Sequence, residues 1–202
     1  KIRIEEEKVL FRTIDDIVPV GICGSGLIDA VAEMIQAGII KKTGRLATAK
    51  DFAEKNPAIS ERLRERDGMR EFVLVFKEDE EDIVITQKDV REVQLAKGAI
   101  SAGISIMAEQ LSLKLEDISK VIVAGAFGSF INKESAITIG LLPDVDLNNI
   151  ISAGNTAGAG TLMAVTNAEE GVAAKEIPGR IAHVELASTG DFQNKYMAAM
   201  AF

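Results

Sequence analysis

The sequence predicts an α/β fold in which helices flank a mixed sheet. Segments typical of strands alternate with amphipathic segments typical of helices along the chain. Hydrophobic residues make up 47% of the 202 residues, which is enough to bury a substantial core. Glycine clusters stand where predicted strands give way to predicted helices, as they do in many ligand-binding α/β domains.

The composition excludes several classes of protein. The single cysteine, Cys23, cannot form a disulfide within the chain. A formal net charge of −8 repels phosphate backbones and argues against a nucleic-acid partner. No apolar run reaches the roughly 20 residues that span a membrane, so we expect no membrane contact. The chain begins with neither Met nor a signal peptide, so we expect a cytoplasmic protein and a chain that is part of a longer one.

The first third of the chain predicts two strands and one long helix. Residues 1–20 favour extended structure, and the glycine-rich loop 21–26 opens a helix over 27–35 that ends near Gly38. In residues 41–70, Lys, Arg and Glu dominate and Pro57 interrupts any long helix. We interpret this segment as short solvated helices rather than a binding patch.

The middle third predicts a hairpin followed by a capped helix. Residues 71–76 and 83–85 form its strands, and Thr86–Asp89 has the residues of a helix N-cap. The helix is expected to run to about Leu113. One apolar stripe recurs along it, and Lys97 takes the place expected for an apolar residue; the stripe comprises Val90, Val93, Ile100, Ile104, Met107 and Leu111.

The last third predicts the strands of a buried sheet. Residues 121–124 are wholly apolar, which suits a central parallel strand buried on both faces. A helix over 134–139, a strand over 149–152 and a glycine-opened helix from 154 are expected to follow. A last strand over 181–186, with His183 packed inside it, and a helix over 191–200 complete the prediction.

Three glycine clusters predict a small-molecule site, because ligands bind beyond the carboxyl ends of strands and glycine lets a backbone approach them closely. The clusters are 21–26, 125–128 and 154–160. We expect them on one sheet edge. None matches a P-loop or a dinucleotide fingerprint, so tight turns and helix packing remain the alternative for each cluster alone.

Residues 121–128 resemble the adenosine motif of the actin, sugar-kinase and heat-shock ATPase superfamily, called the ASKHA fold. Gly125-Ala126 stands where that family usually has Gly-Gly. Gly158-Ala159-Gly160 with Ala164 is similar to the superfamily's second connecting motif, in which small residues let two helices cross closely. The resemblance implies a ribonuclease H-like domain that binds ATP with Mg²⁺.

A closer resemblance covers nearly the whole chain and points to one branch of that superfamily. Five segments carry it: 21–30, 85–91, 124–128, 140–145 and 154–160. Together they look like the C-terminal part of the reductive activators of corrinoid proteins. The resemblance identifies residues 1–202 as a C-terminal ATPase-like subdomain of a longer chain.

The resemblance to these activators also implies their chemistry. They are iron-sulfur proteins with an N-terminal [2Fe-2S] ferredoxin domain, and they use ATP in electron transfer that returns corrinoid Co(II) to Co(I). The expected partners are a corrinoid protein, the nucleotide and a second copy in a homodimer. No Asp-x-Gly of the superfamily's phosphate motifs occurs here, and no cysteine cluster occurs. We therefore expect the phosphate-binding Asp residues and the cluster upstream, and weak ATP binding by this chain alone.

The resemblance assigns nucleotide-contacting residues but no catalytic residue and no metal ligand. Adenosine is expected at Gly125, Ala126, Phe127 and Gly128. Supporting contacts are expected from Gly154, Asn155, Ala157, Gly158, Gln94, Lys97, Gly24, Ser25 and Gly26. For Lys97, a structural ion pair or an extended side chain that reaches solvent is the alternative, and for Asn155 a helix N-cap.

Two further readings of the sequence stay open at this point. Cys23 opens a helix, which favours a thiolate, whereas a small buried residue is the simpler interpretation. The dehydratase activators hold a [4Fe-4S] cluster at a similar segment, but they need two cysteines per subunit, so we assign no cluster to this chain, which has one. For the function, the alternatives are a small-molecule kinase of the same superfamily and a docking module without catalysis.

Overall fold

The computed structural model describes residues 1–5, 8–125 and 127–202, and of Phe127 the backbone alone. Its first element is an antiparallel hairpin formed by β1 (Ile2–Glu5) and β2 (Lys8–Phe11), which pairs Ile2 with Phe11. Residues 12–23 then lead without a strand to the first helix. The extended structure that we predicted for the start of the chain is therefore confirmed over its first half.

Helix α1 (Gly24–Gln36) begins inside the first glycine cluster. Its buried face includes Ala30, Val31 and Met34, and it packs against β1. The Ile4 N–H donates to the Glu33 carboxylate at 2.9 Å, which fixes the hairpin to the helix. The helix ends before Gly38, whose φ of +72° is a conformation that favours glycine.

The charged segment from 41 to 70 is more structured than we predicted. It forms α2 (Ala49–Phe52), α3 (Pro57–Ser60) and β3 (Leu63–Arg66). Four of its apolar residues are buried, namely Leu46, Ala47, Ile59 and Leu63. A purely solvated segment was the wrong prediction, because isolated apolar residues among many charges are enough to anchor short elements on the core.

Strand β3 is the edge of an antiparallel sheet with β4 (Met69–Val75) and β5 (Ile83–Thr86), which confirms the predicted hairpin. Helix α4 (Gln87–Gln110) starts directly after β5. Thr86 and Asp89 form the expected capping box, with the Thr86 N–H donating to the Asp89 carboxylate at 2.8 Å.

The predicted apolar stripe of α4 is correct only in the first half of the helix. Val90 and Val93 are buried, whereas Ile100, Met107 and Leu111 are exposed. Helix α8 (Phe192–Ala199) lies against α4 on a face of small residues, where Gly98 and Ala102 are buried. Close approach to α8, rather than side-chain hydrophobicity, decides which face of α4 is covered.

Strands β6 (Val121–Ala124) and β7 (Ile150–Gly154) form a parallel pair, joined through α5 (Lys133–Thr138). These three elements follow the prediction. The expectation that β6 is buried on both faces is wrong for this chain, because β6 has one neighbouring strand and Ile122 is 63% exposed. Helices α6 (Thr156–Thr166) and α7 (Ala168–Glu176) follow β7, and α7 was not predicted.

The predicted strand over 181–186 is wrong. These residues are irregular and His183 is exposed rather than packed. An alternating sequence needs a neighbouring strand to become part of a sheet, and no strand of the described residues pairs with this one. The segment instead places Leu186 beside Gly103 of α4, before the predicted closing helix, α8.

The main core joins α1, the β3–β4–β5 sheet, the first half of α4 and α5. Its largest fully buried side chains include Phe72, Met34, Ile39 and Ile85. Helices α6 and α7 contribute no buried residue to it. Among the residues that the structure describes, no helix has the length and apolar character needed to cross a membrane.

Candidate functional site

Two of the glycine clusters meet at the carboxyl edge of the β6–β7 pair. The Gly125 N–H donates to the Gly154 carbonyl at 2.7 Å, so the two turns are joined directly. Gly125 has φ +100° and Gly154 has φ +67°, conformations that other residues rarely adopt. A Cβ built on either glycine would meet no atom within 4 Å, which leaves open space beside the backbone. Glycine at both turns therefore leaves the backbone of this edge accessible.

Gly128 has a different role from Gly125. It is buried, and a Cβ there would lie 2.5 Å from Cγ1 of Val123, so the turn after β6 packs back onto its own strand. Two hydroxyls hold this turn: Ser129 Oγ donates to the Gly125 carbonyl at 3.3 Å, and Ser152 Oγ to the Gly128 carbonyl at 3.4 Å. We did not single out these serines in the sequence, although serine beside glycine is a frequent turn signal.

The third part of this edge is the start of α6. The Asn155 side-chain oxygen accepts a hydrogen bond from the Gly158 N–H at 3.1 Å, which is an N-cap. A Cβ on Gly158 would lie 2.7 Å from the Asn155 amide nitrogen, so the cap requires glycine there. Ala157 lies between them and is exposed. Ala126, the remaining predicted adenosine contact of the first turn, lies outside the described residues.

The cluster of Gly24, Ser25 and Gly26 does not belong to the β6–β7 edge. It forms the first turn of α1, and no strand of that sheet leads into it, so the expectation of one shared sheet edge is wrong for this cluster. Cys23 precedes it and is exposed, not buried. The hydrogen bond between its Sγ and Ser25 Oγ, at 3.5 Å, is the largest cause that lowers the pKa of the thiol.

Gln94 and Lys97 are both buried on α4 and both hold the end of the chain. The Gln94 side-chain amide donates to the carbonyls of Thr43 at 3.2 Å and Met200 at 2.7 Å. The Lys97 ammonium donates to the Ala201 carbonyl and lies 5.0 Å from the centre of the Phe202 ring. Burial lowers the pKa of Lys97. Their recorded contacts are therefore with backbone carbonyls and a ring, not with the β6–β7 edge.

The acidic residue Asp146 lies before β7, at the amino end of the strand pair and away from the glycine turns, and serves local structure. Asp146 accepts from the Asn148 N–H at 2.8 Å and caps a short turn before β7. Within the described part of the chain, no three His, Cys, Asp or Glu residues are grouped so that they can hold a metal ion. The described residues thus give this edge open, glycine-lined backbone and no grouped metal ligands.

Comparison with known proteins gives the family. A family model described as "C-terminal domain of RACo the ASKHA domain" matches residues 1–202. The chain is 35% identical over 205 residues to the corrinoid activation enzyme RamQ of Eubacterium limosum, covering all of this chain and 34% of RamQ. It is 27% identical over 185 residues to a [Co(II) methylated amine-specific corrinoid protein] reductase of Methanosarcina barkeri, covering 91% of this chain and 29% of that protein.

A solved structure agrees with these relatives. The chain superposes on a reductive activator for a corrinoid, iron-sulfur protein with a TM-score of 0.87 and 38% identity, covering all of this chain and 32% of that one. The chain thus spans about a third of the length of the proteins it matches. The predicted ASKHA-type α/β fold and the predicted family are confirmed. The chain belongs to the family of the C-terminal ASKHA domain of corrinoid-protein reductive activators.

Proposed function

We propose that this chain is the nucleotide-binding half of an ATP-dependent activator that returns a corrinoid from Co(II) to Co(I). The names of its relatives support the proposal, since they describe a corrinoid activation enzyme, a corrinoid protein reductase and a reductive activator. The substrate is then a corrinoid protein, and the protein works in the cytoplasm as a homodimer.

The observation that carries the nucleotide part is the joined pair of turns at Gly125 and Gly154. Their backbones present open space without side chains at the carboxyl edge of a parallel pair, where α/β folds bind ligands. The adenosine then lies against the turn from Gly125 to Gly128, Ala126 and Phe127 included. Gly154, Asn155, Ala157 and Gly158 form the other side of the site.

ATP, when bound with Mg²⁺, supplies the free energy that biases a conformational equilibrium toward electron transfer. This chain's part is to hold the adenosine. It contains no Asp-x-Gly for the phosphate and metal ion, and its single cysteine cannot ligate a [2Fe-2S] cluster. We therefore assign both functions to a preceding part of a longer polypeptide.

The apolar helix α6 supports the assignment to a longer polypeptide. It carries small residues at 157–160 and its side chains are largely exposed, with Val165 at 80%. A helix that is apolar all round is normally covered in a complete protein. In our proposal, α6 crosses a helix of the preceding part, as the second connecting motif does in this superfamily.

Gln94 and Lys97 are included in the proposed site under one condition. Their polar atoms are engaged by Thr43, Met200 and Ala201, and these bonds hold the end of the chain on α4. They contact ribose only in a state where residues 200–202 have left α4. Gly24, Ser25 and Gly26 are not joined to the other clusters, so their contact with nucleotide likewise depends on the complete protein.

Isothermal titration of the intact protein with ATP tests the adenosine site. A substitution of Gly125 strains the backbone whatever the ligand does, so the exposed Ala157 is the better probe. We expect Ala157→Trp to fill the edge and raise the Kd by about tenfold or more, a loss of roughly 1.4 kcal/mol. An unchanged melting temperature without ATP shows that the crossing of α6 is intact in this variant. The control is Ala173→Trp, on an exposed position of α7. Equal ATP affinity in the two variants would remove the adenosine assignment.

The redox part is tested separately with the corrinoid partner. The visible spectrum of the corrinoid follows the conversion of Co(II) to Co(I) after an electron donor is added, with and without ATP. We expect ATP-dependent Co(I) formation in the intact protein. Phosphoryl transfer to a small acceptor with no change at the corrinoid would identify a kinase instead.

A further inference from the structure

A cleft of about 630 Å³ lies away from the glycine turns, between three segments of the chain. Its walls are the loop 43–45, the turn 68–70 at the start of β4, and the first two turns of α4. Four cationic side chains line it: Arg45, Arg70, Lys88 and Arg91. The volume is in the range of small-molecule sites, which is about 300 to 1,000 Å³.

The four cations of this basic cleft are not neutralised. Among the described residues, none of them forms a salt bridge with a carboxylate, although the molecule carries a net charge of −8. Asp51 is close enough to Arg70 to feel its charge, but it accepts hydrogen bonds from the Thr48 N–H at 2.7 Å and hydroxyl at 2.9 Å. Among the described residues, four cations without a salt bridge line one open cleft of an acidic protein, which favours an anionic ligand.

The walls of the basic cleft are held in place by hydrogen bonds of Gln87 and of one of the four cations, Arg70. Gln87 donates to the Gly44 carbonyl at 2.7 Å and accepts from the Leu46 N–H at 2.8 Å, which ties the loop to α4. Gly44 has φ +84°, and a Cβ there would lie 2.3 Å from the Gln94 side chain, so the loop packs closely on the helix. Arg70 donates to the Leu46 carbonyl at 2.9 Å.

The geometry points to a second anion site, in which the basic cleft binds a small ligand that carries two or more phosphate groups. Arg45, Arg70 and Arg91 offer planar guanidinium groups that pair with phosphate oxygens in two-bonded geometry, and Lys88 adds a point charge. The cations come from three separate segments and line one open cleft, which suits a compact polyanion. This inference goes beyond the proposed adenosine edge and does not depend on it.

Titration of the intact protein with pyrophosphate at fixed ionic strength tests the inference. The background carries Ala157→Trp, so that the proposed nucleotide edge does not compete. We expect Arg45→Gln with Arg91→Gln to raise the pyrophosphate Kd about tenfold or more. Arg3→Gln with Lys120→Gln removes the same charge at exposed positions outside the cleft and should change the Kd less than about twofold. Both cleft residues are exposed, and their side chains form no hydrogen bond or salt bridge with the described residues, so thermal melting of the variants should match the parent.

Three results would overturn the inference. They are absence of pyrophosphate binding, equal loss of affinity in the cleft and control variants, and tighter binding of a glutamate-rich peptide than of pyrophosphate. ATP distinguishes a free polyphosphate from the phosphate chain of the proposed nucleotide. If the parent binds one ATP and that single binding event is weakened both by the cleft substitutions and by Ala157→Trp, the two sites are one and a separate site is excluded. If the cleft substitutions weaken pyrophosphate binding while Ala157→Trp leaves ATP affinity unchanged, the adenosine proposal is wrong and the basic cleft stands.

Discussion

Backbone conformation at single glycines shapes the candidate nucleotide edge. Gly125 and Gly154 have positive φ and face open space, whereas Gly128 and Gly158 are needed because a neighbouring side chain occupies the position of a Cβ. The two kinds of glycine therefore respond differently to substitution, although the sequence motif does not distinguish them.

Gly125→Ala is expected to destabilise the protein by about 1 to 2 kcal/mol, because alanine is strained at φ +100° even though space is available. Denaturant unfolding measures the change. In the 202-residue chain on its own, Gly160→Ala is the matched control, since Gly160 lies within α6 and a Cβ there meets no atom within 4 Å. Alanine in a helix interior should stabilise it by about 0.5 to 1 kcal/mol. Equal effects at the two positions would contradict the role of φ.

Gly128→Ala is expected to cost about 1 to 3 kcal/mol through overlap with Val123, whose Cγ1 lies 2.5 Å from the added Cβ. Val123→Ala removes the overlapping methyl groups. The double variant should therefore be more stable than the sum of the single effects predicts, and a double-mutant cycle by denaturant unfolding measures this coupling. If the destabilising effects of Gly128→Ala and Val123→Ala simply add, the turn moves away from Val123 and the two side chains do not clash.

Lys97 makes stability depend on pH in the alkaline range. Burial lowers its pKa in the folded protein below the ordinary value of 10.5, so the unfolded chain binds more protons between the two values. Raising the pH through that window should stabilise the parent relative to Lys97→Met, which cannot titrate. Unfolding free energies at several pH values give the difference, with the exposed Lys120→Met as control. If the difference in unfolding free energy between the parent and Lys97→Met does not change with pH, Lys97 is exposed to solvent.

Packing between elements decides how α4 is covered. A Cβ on Gly98 would lie 3.1 Å from Cγ of Met200 and 3.4 Å from Cε2 of Tyr196, so α8 rests almost on the backbone of α4. The ion pair between Lys195 and Glu109, at 2.7 Å, adds a bond at the surface. The end of the chain is thus held on α4 by close packing at Gly98, and the Lys195–Glu109 ion pair adds to it.

Gly98→Leu is expected to displace α8 and to raise hydrogen exchange over residues 192–202. The leucine side chain has no room against Met200 and Tyr196. The neighbouring Ala99 is exposed, so Ala99→Leu should leave exchange there unchanged. If residues 192–202 exchange as slowly in Gly98→Leu as in the parent, the position of α8 does not depend on this contact.

Elements with local signals were predictable from the sequence. The capping residues Thr86 and Asp89 located the start of α4, and the glycine at 38 located the end of α1. The strand over 181–186 failed because its alternating pattern has no pairing edge, and the solvated reading of 41–70 missed residues that anchor β3. The contact between Gly125 and Gly154 was predictable, because parallel strands end at the same edge of a sheet. The hydrogen bonds from Gln94 and Lys97 to the end of the chain were not, because they join residues more than 100 positions apart.

At the scale of the whole molecule, apolar surface is unevenly distributed. The main core lies between α1, the three-stranded sheet and α4, whereas the α6–α7 surface leaves Leu162, Val165 and Val172 exposed. Monomeric proteins rarely expose large continuous apolar patches. This contrast agrees with our proposal that a preceding part of the polypeptide covers α6.

The 202-residue chain on its own is therefore expected to bind a hydrophobic dye such as ANS and to self-associate. Leu162→Glu with Val165→Glu should reduce both, because these side chains are 64% and 80% exposed on α6. Dye fluorescence and light scattering make the measurement. Ile14→Glu, at another exposed apolar position, is the control. Unchanged dye binding after the α6 substitutions would show that the dye binds another apolar surface.

The parallel pairing of β6 with β7 also has a consequence for the time course of folding. The two strands cannot bond until the whole segment from 125 to 149 has closed as a loop, and closure of a longer loop carries a larger entropic barrier. The β1–β2 hairpin and the capped α4 need only local contacts. During synthesis, β6 must wait at the ribosome until residue 154 has emerged. The edge at Gly125 and Gly154 is thus completed after these local elements, whereas the packing of α5 on α1 and of α8 on α4 has to close much longer stretches of the chain.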